Sequence, residues 1–196
     1  MLAAGFSDPV LSAQSTFRTI LDAMSHPGRV LRVTTALSPP QLLSPAAAAV
    51  ALTLCDHDTP VWLDAELRAS DDILEWLRFH CGCELVDESR RASFAFINRS
   101  ARLPRIDEFN AGSDDYPDRS ATVVVRVETL ASGPGLVLNG PGIRDRETLR
   151  AKPLPDDMAA RLVFNRSLFP RGIDMLLVTD SAIAALPRSV RVLEGN

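Results

Sequence analysis

The sequence lacks a long apolar segment. Its longest apolar run, residues 46–54, is interrupted only by Thr53 and has about half the length that a membrane-spanning helix needs. We therefore expect no transmembrane helix. The amino-terminal residues MLAAGFSDPV contain no basic side chain, so we also expect no secretory signal.

Lysine is nearly absent. Lys152 is the single lysine beside 20 arginines, so chemistry that requires a lysine amine has one candidate. The net charge of −4 and the isoelectric point of about 5.4 argue against a protein that binds nucleic acids without sequence preference. An anionic small molecule remains compatible with this composition, because a local basic pocket can form on an acidic protein.

Cysteine is also scarce. The chain has only Cys55, Cys81 and Cys83, and an odd number of cysteines without a signal segment predicts a reducing, cytoplasmic location. The run His80-Cys81-Gly82-Cys83 is a weak metal motif, because structural zinc sites use paired ligands at other spacings. We predict that these cysteines pack at a helix end, and we predict no metal site.

The helical patterns begin at capping signals. Asp8 precedes Pro9, and apolar residues then recur at helical spacing as far as Met24. The run His26-Pro27-Gly28 ends this helix, because proline disfavours helix at the residue before it and glycine adopts positive φ. Further helices are predicted at 46–54 after Ser44-Pro45, at 73–80 before Gly82, and from Pro155 to about 165.

Strands alternate with these helices. The strongest pattern is ATVVVRVETL (121–130), which is rich in β-branched residues, and a turn is predicted at 132–135. IDMLLVT (173–179) is apolar as in a strand covered on both faces. Shorter strands are predicted at 29–34, 61–63, 85–86, 93–98, 136–138 and 190–193. We therefore predict one α/β domain over 1–196, with three layers: a central mixed sheet and helices on both faces.

Two segments have polar residues that enzymes use. Asp56-His57-Asp58-Thr59-Pro60 has the residue types of a base and its orienting carboxylate, but turn chemistry alone accounts for them. The run Asn139-Gly140-Pro141-Gly142-Ile143-Arg144 is a glycine-rich turn after a strand, where backbone N–H groups and an arginine can hold an anion. Neither a nucleophile elbow nor a Walker motif is present.

Six segments in a fixed order carry a family resemblance. They are FRTILDAMSHPG (17–28), LTLCDHDTPVWL (52–63), RFH (78–80), NGPGI (139–143), FPRGIDMLLV (169–178) and LPRSVRV (186–192). Together they resemble the PhnH family, subunits of the bacterial carbon–phosphorus lyase system of phosphonate metabolism. The matches extend over nearly the whole chain, whereas Cys81-Gly82-Cys83 departs from the family pattern.

The resemblance implies a fold similar to the large domain of pyridoxal-phosphate-dependent aminotransferases, without that cofactor. It also implies a homodimer that joins other subunits of the carbon–phosphorus lyase core complex. That complex converts ATP and an alkylphosphonate to a ribose 1-phosphonate 5-triphosphate. We therefore expect a non-catalytic or accessory subunit without cofactor, catalytic residue, nucleic acid or membrane partner. The alternatives are a stand-alone anion-binding transferase and a pure assembly scaffold.

One anion site is predicted for a phosphate or phosphonate ligand. It combines the glycine turn with arginines that can form paired hydrogen bonds to oxyanions. Its residues are Arg18, Gly140, Gly142, Arg144, Asp174 and Arg188. The alternative is that Asp174, at the start of an apolar strand, pairs with Arg18, Arg171 or Arg188 and stabilises the fold.

Overall fold

A seven-stranded mixed β-sheet forms the centre of the molecule in the structure, a computed structural model that describes residues 2–193. A second, three-stranded antiparallel sheet lies beside it. In chain order, the strands are β1 (Leu31–Arg32), β2 (Val61–Leu63), β3 (Leu85–Val86), β4 (Phe94–Ile97), β5 (Thr122–Arg126), β6 (Thr129–Asn139), β7 (Glu147–Lys152), β8 (Asp174–Val178), β9 (Ala182–Leu186) and β10 (Arg191–Leu193).

The large sheet has the order β1-β9-β8-β5-β4-β2-β3, and the small sheet has the order β10-β6-β7. Strands β3, β2, β4, β5 and β8 are mutually parallel, whereas β9 is antiparallel to β8 and to β1. The carboxyl ends of the five parallel strands therefore meet at one edge of the sheet.

Both faces of the large sheet are buried. Val124 belongs to one apolar core, and its neighbours Val123 and Val125 belong to the other. Successive side chains of a strand point to opposite faces, so a strand that is covered on both sides is apolar throughout. This explains the continuous apolar runs of β5 and β8.

The helices are α1 (Pro9–Ser25), α2 (Pro45–Leu54), α3 (Ala65–Arg68), α4 (Asp71–Cys81) and α5 (Met158–Ser167). Helices α1 to α4 cover the first face of the large sheet, and α5, the small sheet and residues 99–120 cover the second. The layers have the α/β character expected from the sequence, and the small sheet is an addition. The similarity to the aminotransferase large domain remains a prediction.

Local capping signals place three helix ends as predicted. Asp8 Oδ1 accepts a hydrogen bond from the Leu11 backbone N–H at 3.0 Å and begins α1. Ser44 Oγ accepts from the Ala47 N–H at 3.2 Å and begins α2. Gly82, at φ 66°, ends α4 in the left-handed conformation.

Several predicted strand boundaries were wrong. The predicted strand at 121–130 is divided, because β5 ends at Arg126 and β6 begins at Thr129. The predicted turn at 132–135 is a bulge inside β6, where the register against β7 shifts between Ser132 and Leu136. No helix within residues 2–193 combines the length and apolarity required to cross a membrane.

Candidate functional site

The predicted anion-site residues Asp174 and Arg188 contact each other. Arg188 donates to Asp174 Oδ1 from its backbone N–H at 2.8 Å and from Nε at 3.2 Å, and Nη2 donates to Oδ2 at 2.5 Å. Its Nη1 donates to the backbone carbonyl of Pro117. The two side chains are only 15% and 14% exposed. This geometry favours the structural ion pair that the sequence left open.

The glycine turn is packed against the rest of the chain. Gly142 has φ 83°, and a Cβ at this position would lie 2.0 Å from the Ser25 backbone oxygen. A Cβ at Gly140 would lie 3.1 Å from the Ser189 backbone oxygen. The turn follows the central strand of the small sheet and abuts the end of α1. Close approach of backbone to backbone therefore explains both glycines.

The remaining predicted residues lie on the surface. Arg18 lies on α1, where it lines a groove with Asp22 and Arg32, and Arg144 is exposed beside the glycine turn. The structure thus joins Asp174 to Arg188 and places Gly140 near the adjacent Ser189. It places Arg18 in a separate groove. The six-residue anion site remains a prediction.

The segment around His57 forms a polar turn. Asp56 Oδ1 accepts hydrogen bonds from the Thr59 hydroxyl at 2.7 Å and from the Asp58 N–H at 3.0 Å. The Thr59 hydrogen bond lowers the pKa of the Asp56 carboxyl. His57 and Asp58 are exposed, with Nε2 and Oδ2 3.3 Å apart. The geometry favours turn chemistry over a buried base with an orienting carboxylate.

The three cysteines are free thiols at one end of α2 and α4. A hydrogen bond between the sulfurs of Cys81 and Cys83 raises the pKa of Cys81 and lowers that of Cys83. Burial raises the pKa of Cys55. Within residues 2–193, no three His, Cys, Asp or Glu side chains are grouped so as to hold a metal ion.

A cavity of about 620 Å³ opens at the carboxyl ends of β4, β5 and β8, and we call it the strand-end cavity. In α/β sheets, ligands commonly bind outside the carboxyl ends of the strands. The polar residues that line it are Asn98, Arg99, Ser100, Arg126, Glu128, Thr179 and Asp180. Three of the strands that meet there supply these residues at their ends or in the loops that follow them.

A chain of hydrogen bonds runs along this edge of the sheet. Glu66 Oε2 accepts from Asn98 Nδ2 at 3.0 Å and lies 3.0 Å from Arg99 Nε. Asn98 Oδ1 accepts from Arg126 Nη1 at 3.2 Å, and Arg126 Nη2 donates to Asp180 Oδ1 at 3.2 Å. These contacts orient Arg126, whose side chain is 36% exposed.

A buried carboxylate supports the same edge. Asp64 Oδ1 accepts from the Leu67 N–H at 2.9 Å and so begins α3, while Oδ2 accepts from the Asn98 N–H at 2.8 Å. The side chain therefore joins the end of β2 to the end of β4. It fixes the backbone from which Asn98 and Arg99 extend.

Sequence reasoning missed the strand-end cavity. The sequence pattern places Arg126 within one long strand, and Asn98 and Asp180 lie 28 and 54 positions away from it. The available signal was the polar residue that ends or follows each apolar strand. That signal identifies a site only when the strands are known to be parallel neighbours.

Comparisons with known proteins agree over more than nine-tenths of the chain. A sequence model described as "Bacterial phosphonate metabolism protein (PhnH)" matches residues 4–193. The chain is 44% identical over 190 residues, 97% of this chain and 94% of the relative, to "Alpha-D-ribose 1-methylphosphonate 5-triphosphate synthase subunit PhnH" of Rhizobium meliloti (strain 1021). It is 29% identical over 180 residues, 91% of this chain and 85% of the relative, to "Putative C-P lyase subunit protein HtxG" of Stutzerimonas stutzeri.

Proposed function

Because the chain belongs to the PhnH family of bacterial phosphonate-metabolism proteins, we propose that it is an accessory subunit of the carbon–phosphorus lyase core complex. There it supports the conversion of ATP and an alkylphosphonate to a ribose 1-phosphonate 5-triphosphate. One observation carries this proposal: the 44% identity to a synthase subunit extends over 97% of the chain. The match therefore includes every layer of the fold.

The placement of the reactive side chains supports an accessory role. Among residues 2–193, none of the three histidines lines the strand-end cavity. His57 is exposed in its turn, His26 contacts Asp22 on α1, and His80 Nε2 lies 3.0 Å from the Ala3 backbone oxygen. Lys152 is exposed at the end of β7. These positions provide no oriented base next to a bound reactant.

We also propose that two copies associate through the outer face of α1. Val10, Leu11, Phe17 and Leu21 are apolar and 75%, 63%, 49% and 55% exposed. The spacing of one face of α1 is symmetric. Intervals of four, three and four residues separate Val10, Gln14, Phe17 and Leu21, and this pattern is the same in both chain directions. In an antiparallel pair of α1 helices, Val10 would lie opposite Leu21 and Gln14 opposite Phe17, as a two-fold interface requires.

A cytoplasmic location is proposed as well. All three cysteines are free, and Cys55 and Cys83 are buried in the first apolar core. A disulfide-free protein of this kind fits a reducing compartment.

Reconstitution tests the proposed function. The chain is purified alone and also co-expressed with the other synthase subunits of the same organism, and each sample receives ATP and methylphosphonate. We expect the chain to co-purify with those subunits, and we expect adenine release only from the assembled complex.

Each alternative has its own outcome in this experiment. Adenine release by the chain alone would establish the stand-alone transferase. Failure of the other subunits to assemble without the chain, together with no binding of ATP or methylphosphonate by the chain alone, would establish the pure assembly scaffold. Failure to co-purify would overturn the proposed function itself.

A further inference from the structure

Two arginines with unused hydrogen-bond donors line the strand-end cavity. A guanidinium has five N–H groups. Arg126 donates to Asn98 Oδ1, to Asp180 Oδ1 and, at 3.5 Å, to the Leu42 backbone oxygen. Its other two N–H groups have no acceptor within residues 2–193. Asp180 contacts it at one nitrogen only, so the paired geometry that binds an oxyanion is still open.

Arg99 is the second cation of the cavity. Its described partner is Glu66, which lies 3.0 Å from Nε, and Glu66 also pairs with Arg102 Nη1 at 3.4 Å. Because Glu66 is shared between two arginines and the Asn98 amide, it neutralises neither arginine alone. The Arg99 side chain is exposed, so its terminal nitrogens are available to a ligand.

Carboxylates complete the polar wall. Asp180 Oδ2 has no partner among the residues described, and Glu128 lines the cavity from the loop between β5 and β6. The Glu128 backbone N–H donates to the Lys152 oxygen at 2.8 Å, which fixes this loop. A carboxylate accepts hydrogen bonds from sugar hydroxyls but repels a phosphate, so the two kinds of group select different parts of one ligand.

We propose that the strand-end cavity binds a phosphorylated sugar. The phosphoryl oxygens contact Arg99 and Arg126, and the sugar hydroxyls donate to Asp180 and Glu128. The cavity volume of about 620 Å³ lies within the range of small-molecule sites. The apolar part of the wall, against which the carbon face of a sugar ring can pack, consists of Leu42, Ala101, Val127 and Pro153.

The assignment concerns binding by this chain and goes beyond its role as an accessory subunit. Only the choice of probes rests on the proposed function, since the relative's name contains a ribose triphosphate. Isothermal titration of the purified chain uses ribose 5-phosphate, ATP, inorganic tripolyphosphate and unphosphorylated ribose. We expect the first two to bind more tightly than tripolyphosphate, and we expect ribose to bind too weakly to measure.

Variants test the contacts to the phosphoryl group and the contacts to the sugar separately. R126Q and R99Q each remove one charged contact, so affinity for ribose 5-phosphate should fall about tenfold to a hundredfold. E128Q should lower the affinity for ribose 5-phosphate, whereas its affinity for tripolyphosphate should be unchanged or higher. R146Q is the charge-matched control, because Arg146 precedes β7, whose far end beside Pro153 is roughly 17 Å away. R146Q should bind as the unsubstituted protein does.

Several results would overturn the assignment. They are the absence of binding by the unsubstituted chain, equal binding of tripolyphosphate and ribose 5-phosphate, and equal weakening by R126Q and R146Q. A melting curve for every variant shows that it is folded, and R99Q carries the test if R126Q is not. Co-purification with the other subunits is measured in parallel. Intact assembly without sugar-phosphate binding ends this inference and leaves the proposed function in place.

Discussion

The carboxylate of Asp174 accepts three hydrogen bonds from Arg188, one from its backbone and two from its side chain. Asp174 is the first residue of β8, and Arg188 follows β9, which is antiparallel to β8. The pair therefore joins the start of β8 to the segment that follows β9. Because Nη1 also contacts Pro117, the same arginine ties down the segment that precedes β5.

Replacing Arg188 should destabilise the fold. R188A leaves the Asp174 carboxylate with little solvent and without its side-chain partner, which should cost about 2–4 kcal/mol of unfolding free energy in urea denaturation. The exposed pair between Arg91 and Glu84, 3.3 Å apart, provides the control. R91A should cost less than about 1 kcal/mol. Equal losses for R188A and R91A would contradict a structural role for the Asp174 pair.

The glycine turn gives a second prediction. At Gly142 an added Cβ meets the Ser25 oxygen at 2.0 Å, so G142A should lower the unfolding free energy by about 3 kcal/mol or more. Gly133 also has positive φ, 132°, but a Cβ there meets nothing within 4 Å. G133A therefore measures only the strain of a non-glycine residue at positive φ, and it should lower the unfolding free energy by roughly 1–2 kcal/mol. Similar melting temperatures for the two variants would mean that the turn is not packed against α1.

The outer face of α1 predicts a dimer. Multi-angle light scattering at micromolar concentration should give twice the chain mass for the unsubstituted protein. L21E should give the monomer mass, because a charge would be buried against the partner's Val10. V163E is the control, since Val163 on α5 is also exposed. A monomeric unsubstituted protein, or dissociation by V163E but not by L21E, would refute the α1 interface.

The cysteines predict slow alkylation. Only the thiolate reacts, and the hydrogen bond to Cys83 raises the pKa of Cys81, while burial raises that of Cys55. Cys83 has a lowered pKa, but its side chain is buried. Native protein treated with iodoacetamide at pH 8 should carry less than one alkyl group per chain by mass spectrometry. In urea all three thiols should react, and rapid native labelling at Cys83 would contradict the described packing.

A fifth prediction concerns cofactors. Because Lys152 is exposed and precedes Pro153 in the cavity wall, it is poorly placed to form a buried aldimine. The purified protein should show no absorbance band of a pyridoxal phosphate aldimine, and elemental analysis should find no stoichiometric metal. One equivalent of either per chain would prove this expectation wrong.

Local signals were sufficient for four of the helices in the described residues, but they missed the short helix α3 and were insufficient for the sheets. The caps at Asp8 and Ser44 and the left-handed Gly82 are decided within a few residues, and their predictions are confirmed. The segment Ser132–Gly135 has the composition of a turn, but Ser132 and the following Leu136 both pair with Leu149 of β7, so the segment is a bulge inside one strand. Strand β9, AIAAL, consists largely of alanine and has little strand propensity of its own. Its neighbours β8 and β1 determine its conformation.

The site depended on the same long-range information. Asp174 and Arg188 are 14 positions apart, and the antiparallel β8–β9 pair brings them together. The sequence predicts an arginine partner for Asp174 but leaves Arg18, Arg171 and Arg188 as equal candidates. By contrast, Asn98, Arg126 and Asp180 meet only because β4, β5 and β8 are adjacent and parallel. No spacing along the chain encodes that order.

The amide of Asn98 acts as both donor and acceptor in the chain of hydrogen bonds at the strand ends. Its nitrogen donates to Glu66 and its oxygen accepts from Arg126, so the two ends of this side chain are not interchangeable. Aspartate has nearly the same shape but only acceptors, and it would place a second negative charge against Glu66. One neutral amide thus links two separate ion-pair clusters, Glu66 with its two arginines and Arg126 with Asp180, without adding a charge to either.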